Sequence, residues 1–143
     1  MIVEQGAKIM ADGTADQPIV FTSALPVGQR NYGDWGGVIV CGRAPINVPG
    51  GTAIIEGGVG STYGGGASPD PNDNSGIIRY VRIEFPGIAF AVNNEINGLT
   101  LGGVGAGTTN DHVPVSYFGD DGVEFFGRTG NAKHLISHRT TDD

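Results

Sequence analysis

The chain has 143 residues; 26 are glycine, 16% are charged and the formal net charge is −7. That length suits one domain with a sizeable core, and an acidic chain without any Lys/Arg cluster argues against a nucleic-acid partner. The single cysteine, Cys41, excludes an internal disulfide and a cysteine-based zinc site, and no apolar stretch has membrane-spanning length.

Taken in chain order, the apolar runs are short, rich in Val, Ile and aromatics, and bounded by Gly, Asn, Asp or Pro. They cover 8–10, 19–22, 35–41, 53–55, 77–85, 99–101, 113–118, 123–126 and 134–137. Almost no helical period accompanies them, so the class is all-β. Cys41 ends one of these runs and reads as a buried, inert thiol. Trp35, in Gly33-Asp34-Trp35-Gly36-Gly37, reads as a core or corner anchor. The segment 56–76, with its Gly and Pro/Asn/Asp clusters, is expected as a long loop leaving the fold, and 102–111 as a shorter one. Tyr63 in the first loop could stack on a sugar. Asp70, Asn72, Asp73 and Asn74 have the residue types of a calcium loop but not EF-hand spacing, so a mobile Gly-rich loop is the better expectation.

An internal repeat narrows the architecture. Tyr80-Val81-Arg82-Ile83-Glu84-Phe85, His112-Val113-Pro114-Val115-Ser116-Tyr117 and His134-Leu135-Ile136-Ser137-His138-Arg139 align column by column. A period near 22 residues with two or three short strands is the size of one coil of a parallel β-helix, in which stacked coils bury inward side chains as columns. Val81, Ile83, Val113, Val115 and Leu135 are then the inward positions. Gly and Asn are expected at the corners, and Pro114 is awkward inside a ladder. At that period the chain holds roughly six coils, fewer once loops are subtracted. Residues 1–143 form a single domain. Met1 leads straight into Ile2-Val3-Glu4 without a signal peptide, so both ends read as cuts through a stack that lacks its native caps.

Gly-Asp-Trp-Gly-Gly (33–37), Tyr-Val-Arg-Ile-Glu (80–84), Gly-Asp-Asp-Gly-Val-Glu-Phe-Phe-Gly (119–127) and Asn-Ala-Lys-His-Leu (131–135) resemble bacterial secreted or surface-anchored β-helix proteins of the pectin-lyase-like group. The resemblance covers most of the chain, as a partial stretch of such a protein. It implies a right-handed parallel β-helix and an extracellular or cell-surface location. Its leading functional implication is a non-catalytic module of an exported surface protein, for structure, adhesion or glycan binding.

The repeat also places candidate chemistry. Asp120 lies eight residues after His112, and Asp142 eight after His134. Asp120, Asp121, Asp142 and Asp143 should therefore share neighbouring corners, with Glu124 nearby. Hard oxygen ligands of this kind suit Ca²⁺; the plainer alternative is a solvated acidic turn. No cofactor is otherwise required. The same Asp120 and Asp121 invite a second reading, a glycan-active hydrolase or lyase. Gly119-Asp120-Asp121-Gly122 resembles one piece of the pectin-hydrolase pattern, but Gly-His-Gly and a downstream Arg-x-Lys are absent. Arg79, Arg82, Lys133 and Arg139 match no lyase motif. A third reading is self-association through open coil ends. His112 and His134 share an outward column under which Tyr80 also falls; it is either a surface aromatic stack or a transition-metal pair. His138 falls two coils above Glu84.

Overall fold

The computed structural model describes residues 1–57, 59–91 and 94–141. Fourteen short strands follow one another. They are β1 (Ile2–Val3), β2 (Ile9–Asp12), β3 (Ile19–Phe21), β4 (Val38–Cys41), β5 (Ala53–Ile54), β6 (Thr62–Tyr63) and β7 (Gly76–Arg79). After these come β8 (Val81–Glu84), β9 (Ala89–Ala91), β10 (Asn94–Glu95), β11 (Leu99–Val104), β12 (Thr109–Ser116), β13 (Val123–Arg128) and β14 (Ala132–His138). Among the described residues the one helical element is a 3-10 turn, Pro49–Gly51.

Two parallel sheets carry the fold. One stacks β1-β4-β11-β13; the other joins β2, β7, β12, β8 and β3, with β14 added on β12. Each rung crosses from the first sheet to the second, and four rungs lie on one another among the described residues. The step between stacked positions varies. It is 22 residues from Val113 to Leu135 and 24 from Leu99 to Val123. It rises to 32 from Ile83 to Val115 and 61 from Val38 to Leu99. Insertions at the corners absorb the difference and leave the sheet registers intact.

Alternation along the rungs fills the interior. Val38, Val40, Ile78, Val81, Ile83, Leu99, Leu101, Val113 and Val115 are buried in one continuous core, with Leu135 packed partly exposed against it. A second core lies on the outer side of the first sheet. There Ile39, Cys41, Ile55, Tyr63 and Ile96 are buried together, with Phe126 packed against them. This explains why 38–41 reads as an unbroken apolar run: β4 is covered on both faces. Burial and the nearby Glu4 push the Cys41 thiol up to about 11, which keeps it protonated and inert.

Three loop expectations change. Residues 102–111 are not an insertion. Gly102 to Val104 extend β11 and Thr109 to Asp111 open β12, so only a tight turn separates the sheets there. The small side chains that suggested a loop are needed for close packing: a Cβ on Gly105 would stand 2.2 Å from the Asp73 backbone nitrogen. The excursion between β4 and β7 spans 42–75 and carries the antiparallel β5–β6 hairpin. It is tied down, with Asp73 and Ser75 buried, Ser75 Oγ donating to Asp73 Oδ2 at 2.9 Å and the Ser75 amide donating to Thr108 Oγ1 at 2.9 Å. Asp70 and Asn74 spend their carbonyl-type oxygens on the amides of Asn72 and Gly76, as local turn caps.

Many glycines take positive φ as expected, but the repeated corners are not glycine. Tyr80, His112 and His134 all have φ near +50°, and Phe85, Tyr117 and Arg139 near +60°. Six non-glycine residues thus adopt the left-handed region at equivalent positions. Ring stacking offsets the strain: centroids are 4.5 Å apart for Tyr80–His112, 4.1 Å for His112–His134 and 4.9 Å for Phe85–Tyr117. Pro114 sits inside β12, but pairing of β12 stops at Asp111 on β7 and resumes at Val115 on β8. On that side Pro114 has no ladder partner, while on the other it pairs with Ile136 of β14.

Candidate functional site

Trp35 is the anchor that the sequence suggests: it packs on the core, and its indole N–H donates to the Glu84 carbonyl at 2.8 Å. Tyr63 is not a sugar platform. It is 6% exposed and tilted against Phe126 at 5.7 Å, because the hairpin folds back onto the first sheet.

The turn after β12 carries Asp120 and Asp121. It is held to the rung below by backbone bonds, Gly98 N–H to Asp121 O and Leu99 N–H to Gly122 O, both 2.9 Å. β13 then begins, and its register sets Glu124 beside Thr100. Just before β11, Asn97 is 1% exposed, and its carboxamide N–H groups donate to Glu56 Oε1 at 3.3 Å and to Glu124 Oε2. The Asn97 Oδ1 atom is buried and takes no hydrogen bond.

Electrostatics ties these groups into one acidic corner. Burial, a hydrogen bond with Glu56 and repulsion from Glu56 and Asp121 push the Glu124 carboxyl up to about 7, against a smaller pull from Asn97. Asp120 is also raised, first by burial and then by Asp121, Glu95 and Glu56, against a hydrogen bond from the Asp121 backbone. Among the described residues, every charged neighbour acting on either group is another carboxylate. The structure therefore brings together Asp120, Asp121 and Glu124, and adds Glu56, Glu95 and Asn97, which lie far away in sequence. Asp142 and Asp143 lie outside the described residues. The chain leading to them runs beside the same turn, with Thr140 Oγ1 donating to Asp120 O at 3.2 Å and Thr141 N–H to Phe118 O at 3.3 Å.

Glu124 and Glu56 share a hydrogen bond, and two carboxyls that close are relieved by a proton or a cation between them.

The second predicted cluster is on the opposite sheet. His112 and His134 stack on Tyr80 as a column, and Asp111 joins them: its Oδ1 lies 2.8 Å from His134 Nδ1 and 2.9 Å from His112 Nδ1. The hydrogen bond from His134 foremost, with the charge of His112, holds the Asp111 carboxyl below the usual carboxylate range. Asp111 was legible only as the neighbour of His112; the stacking register sets it against His134. A shallow groove of about 420 Å³ borders the column, lined by Tyr80, Arg82, His112, Pro114, His134 and Ile136 among others. His138 stacks through Ser116 over Glu84, as its register requires, and accepts from Arg139 Nε at 3.2 Å.

No curated protein and no solved structure matches the chain. A family model described as a pectate-lyase like beta helix domain matches residues 1–143, in keeping with the stacked parallel rungs, and the chain belongs to that family.

Proposed function

We propose that this chain is a non-catalytic β-helical module of an exported bacterial surface protein, serving structure, adhesion or glycan binding, and that its acidic corner takes a hard divalent cation, Ca²⁺ above others. The observation that carries the cation reading is the convergence of Glu56, Asn97 and Glu124, with Asp120 and Asp121 alongside. Carboxylate and carboxamide oxygens are the ligands Ca²⁺ prefers. The unpaired Asn97 Oδ1 supports it, because a carboxamide turned over would offer that oxygen to an ion lying between the two glutamates. The enzyme reading draws less support: among the described residues no cationic side chain acts on Asp120 or Glu124. Glycan binding is supported by the open groove beside the Tyr80–His112–His134 column, where an apolar floor is bordered by Arg82.

Calorimetric titration with Ca²⁺ tests the cation. The expected dissociation constant is about 0.1–1 mM, the range of extracellular modules, and Glu124→Gln combined with Glu56→Gln should remove binding. Heat no larger for the native chain than for that double variant refutes the cation site. A screen of acidic polysaccharides for released reducing ends and unsaturated products, with and without Ca²⁺, tests the non-catalytic reading. Turnover that disappears in Asp120→Ala would overturn it.

A further inference from the structure

We propose that Asp111, His112 and His134 form a binding site for one divalent transition-metal ion of the Zn²⁺ class, joining β12 to β14. The site follows from stacking. His112 and Asp111 are consecutive on β12, and the pairing of Asp111 with Lys133 and Val113 with Leu135 lays His134 directly over His112. Both histidines have φ near +50°, which takes them out of the strand alternation and into the corner column.

The donor atoms lie close enough together for one ion to draw on all three. One ligand atom from each of the three residues lies within 4.8 Å of the others. Two ligands at the tetrahedral angle around an ion with bonds of about 2.1 Å stand about 3.4 Å apart, so donor pairs in hydrogen-bond contact open by about half an ångström to admit it. The Asp111 Oδ1 contacts to His134 Nδ1 and His112 Nδ1 are 2.8 and 2.9 Å. The His112 contact is close yet misaligned: its Nδ1 is buried and takes part in no hydrogen bond. An ion bound there would satisfy that nitrogen. The rings stack at 22° from parallel, so an ion in both ring planes requires one ring to tip. His134 has that freedom, with its side chain 62% exposed.

The ligand set selects the ion. Two imidazoles and one carboxylate suit Zn²⁺, Co²⁺ or Ni²⁺ and are poor for Ca²⁺, which wants six or more oxygens. Three protein ligands also leave a coordination position open to water or another ligand. The site is independent of the acidic corner and does not rest on it.

The test is calorimetric titration of the full chain with Zn²⁺, supported by the visible spectrum of the Co²⁺ form. The native chain should bind one ion at this site, with ligand-field bands indicating nitrogen ligation. His134→Ala, a change at an exposed ring, and Asp111→Asn, which keeps the side-chain size, should each weaken binding about tenfold or more. Glu124→Gln separates the two sites: Zn²⁺ binding that persists in it and is lost in His134→Ala assigns the ion to the histidine pair. Circular dichroism reports whether each variant folds, and His134→Ala alone decides the matter if Asp111→Asn does not. Equal affinity of the native chain and folded His134→Ala overturns the site. So does loss of Zn²⁺ binding in Glu124→Gln without loss in His134→Ala, which would assign the ion to the acidic corner.

Discussion

Glu124 shows how one side chain inherits its chemistry from three segments. It is the second residue of β13 in the first sheet, yet its partners come from the turn before it, from Asn97 at the entry of β11, and from Glu56 in the long excursion. Its carboxyl sits near 7 rather than 4.5, so the folded chain retains a proton that the unfolded chain releases. Stability should therefore fall as pH rises from about 4.5 to about 7, and the full cost should persist above that window. Glu124→Gln removes the titrating charge. With calcium chelated, its melting temperature should exceed that of the native chain by a few degrees at pH 8, roughly 1 kcal/mol after solvent screening. The two should converge at pH 4, and thermal melts at both pH values check this. Asp120, Asp121 and Glu124 were legible as a candidate cluster because the repeat aligns their turn with its neighbour. Glu56, Glu95 and Asn97 were not, because nothing local in the chain relates them to that turn.

At the scale of strands, glycine sets how closely the rungs approach. Gly76 opens β7 at φ +109°, and a Cβ there would lie 1.9 Å from the Ile9 carbonyl oxygen of β2. That obstacle is backbone, so it cannot rotate away. Gly76→Ala should cost at least about 3 kcal/mol, measured by urea unfolding, and should loosen the pairing of β2 with β7. The strands themselves were readable where one face is buried: Val81, Ile83, Val113 and Val115 alternate as a period of two and all point inward. The 102–111 segment was misread for the opposite reason. Its glycines look like a loop, but β11 is buried at all six positions between the inner core and the excursion, and small residues there let two layers touch.

For the whole molecule, burial is graded along the stack. β4 and β11 are covered on both faces, whereas most of β14 is exposed and it pairs with β12 alone among the described residues. In a solenoid each rung is held by its neighbours, so opening follows that gradient. Native-state hydrogen exchange should be slowest in β11 and β4 and fastest in β14; equal protection of β14 and β11 would contradict this ordering.

The sequence by itself determined the architecture, because an internal repeat reports which residues share a column wherever successive coils differ little in length. From 80 to 139 the columns of Val, Ile and aromatic residues were readable in that way, together with the stacked Tyr80, His112 and His134. Only the tertiary structure decided what the insertions do. The 42–75 excursion returns to cover the first sheet, builds the second core and delivers Glu56 to the acidic corner. Such a contact depends on where a long non-repeating segment folds back, and that is set by packing across more than forty residues of chain, which no local pattern encodes.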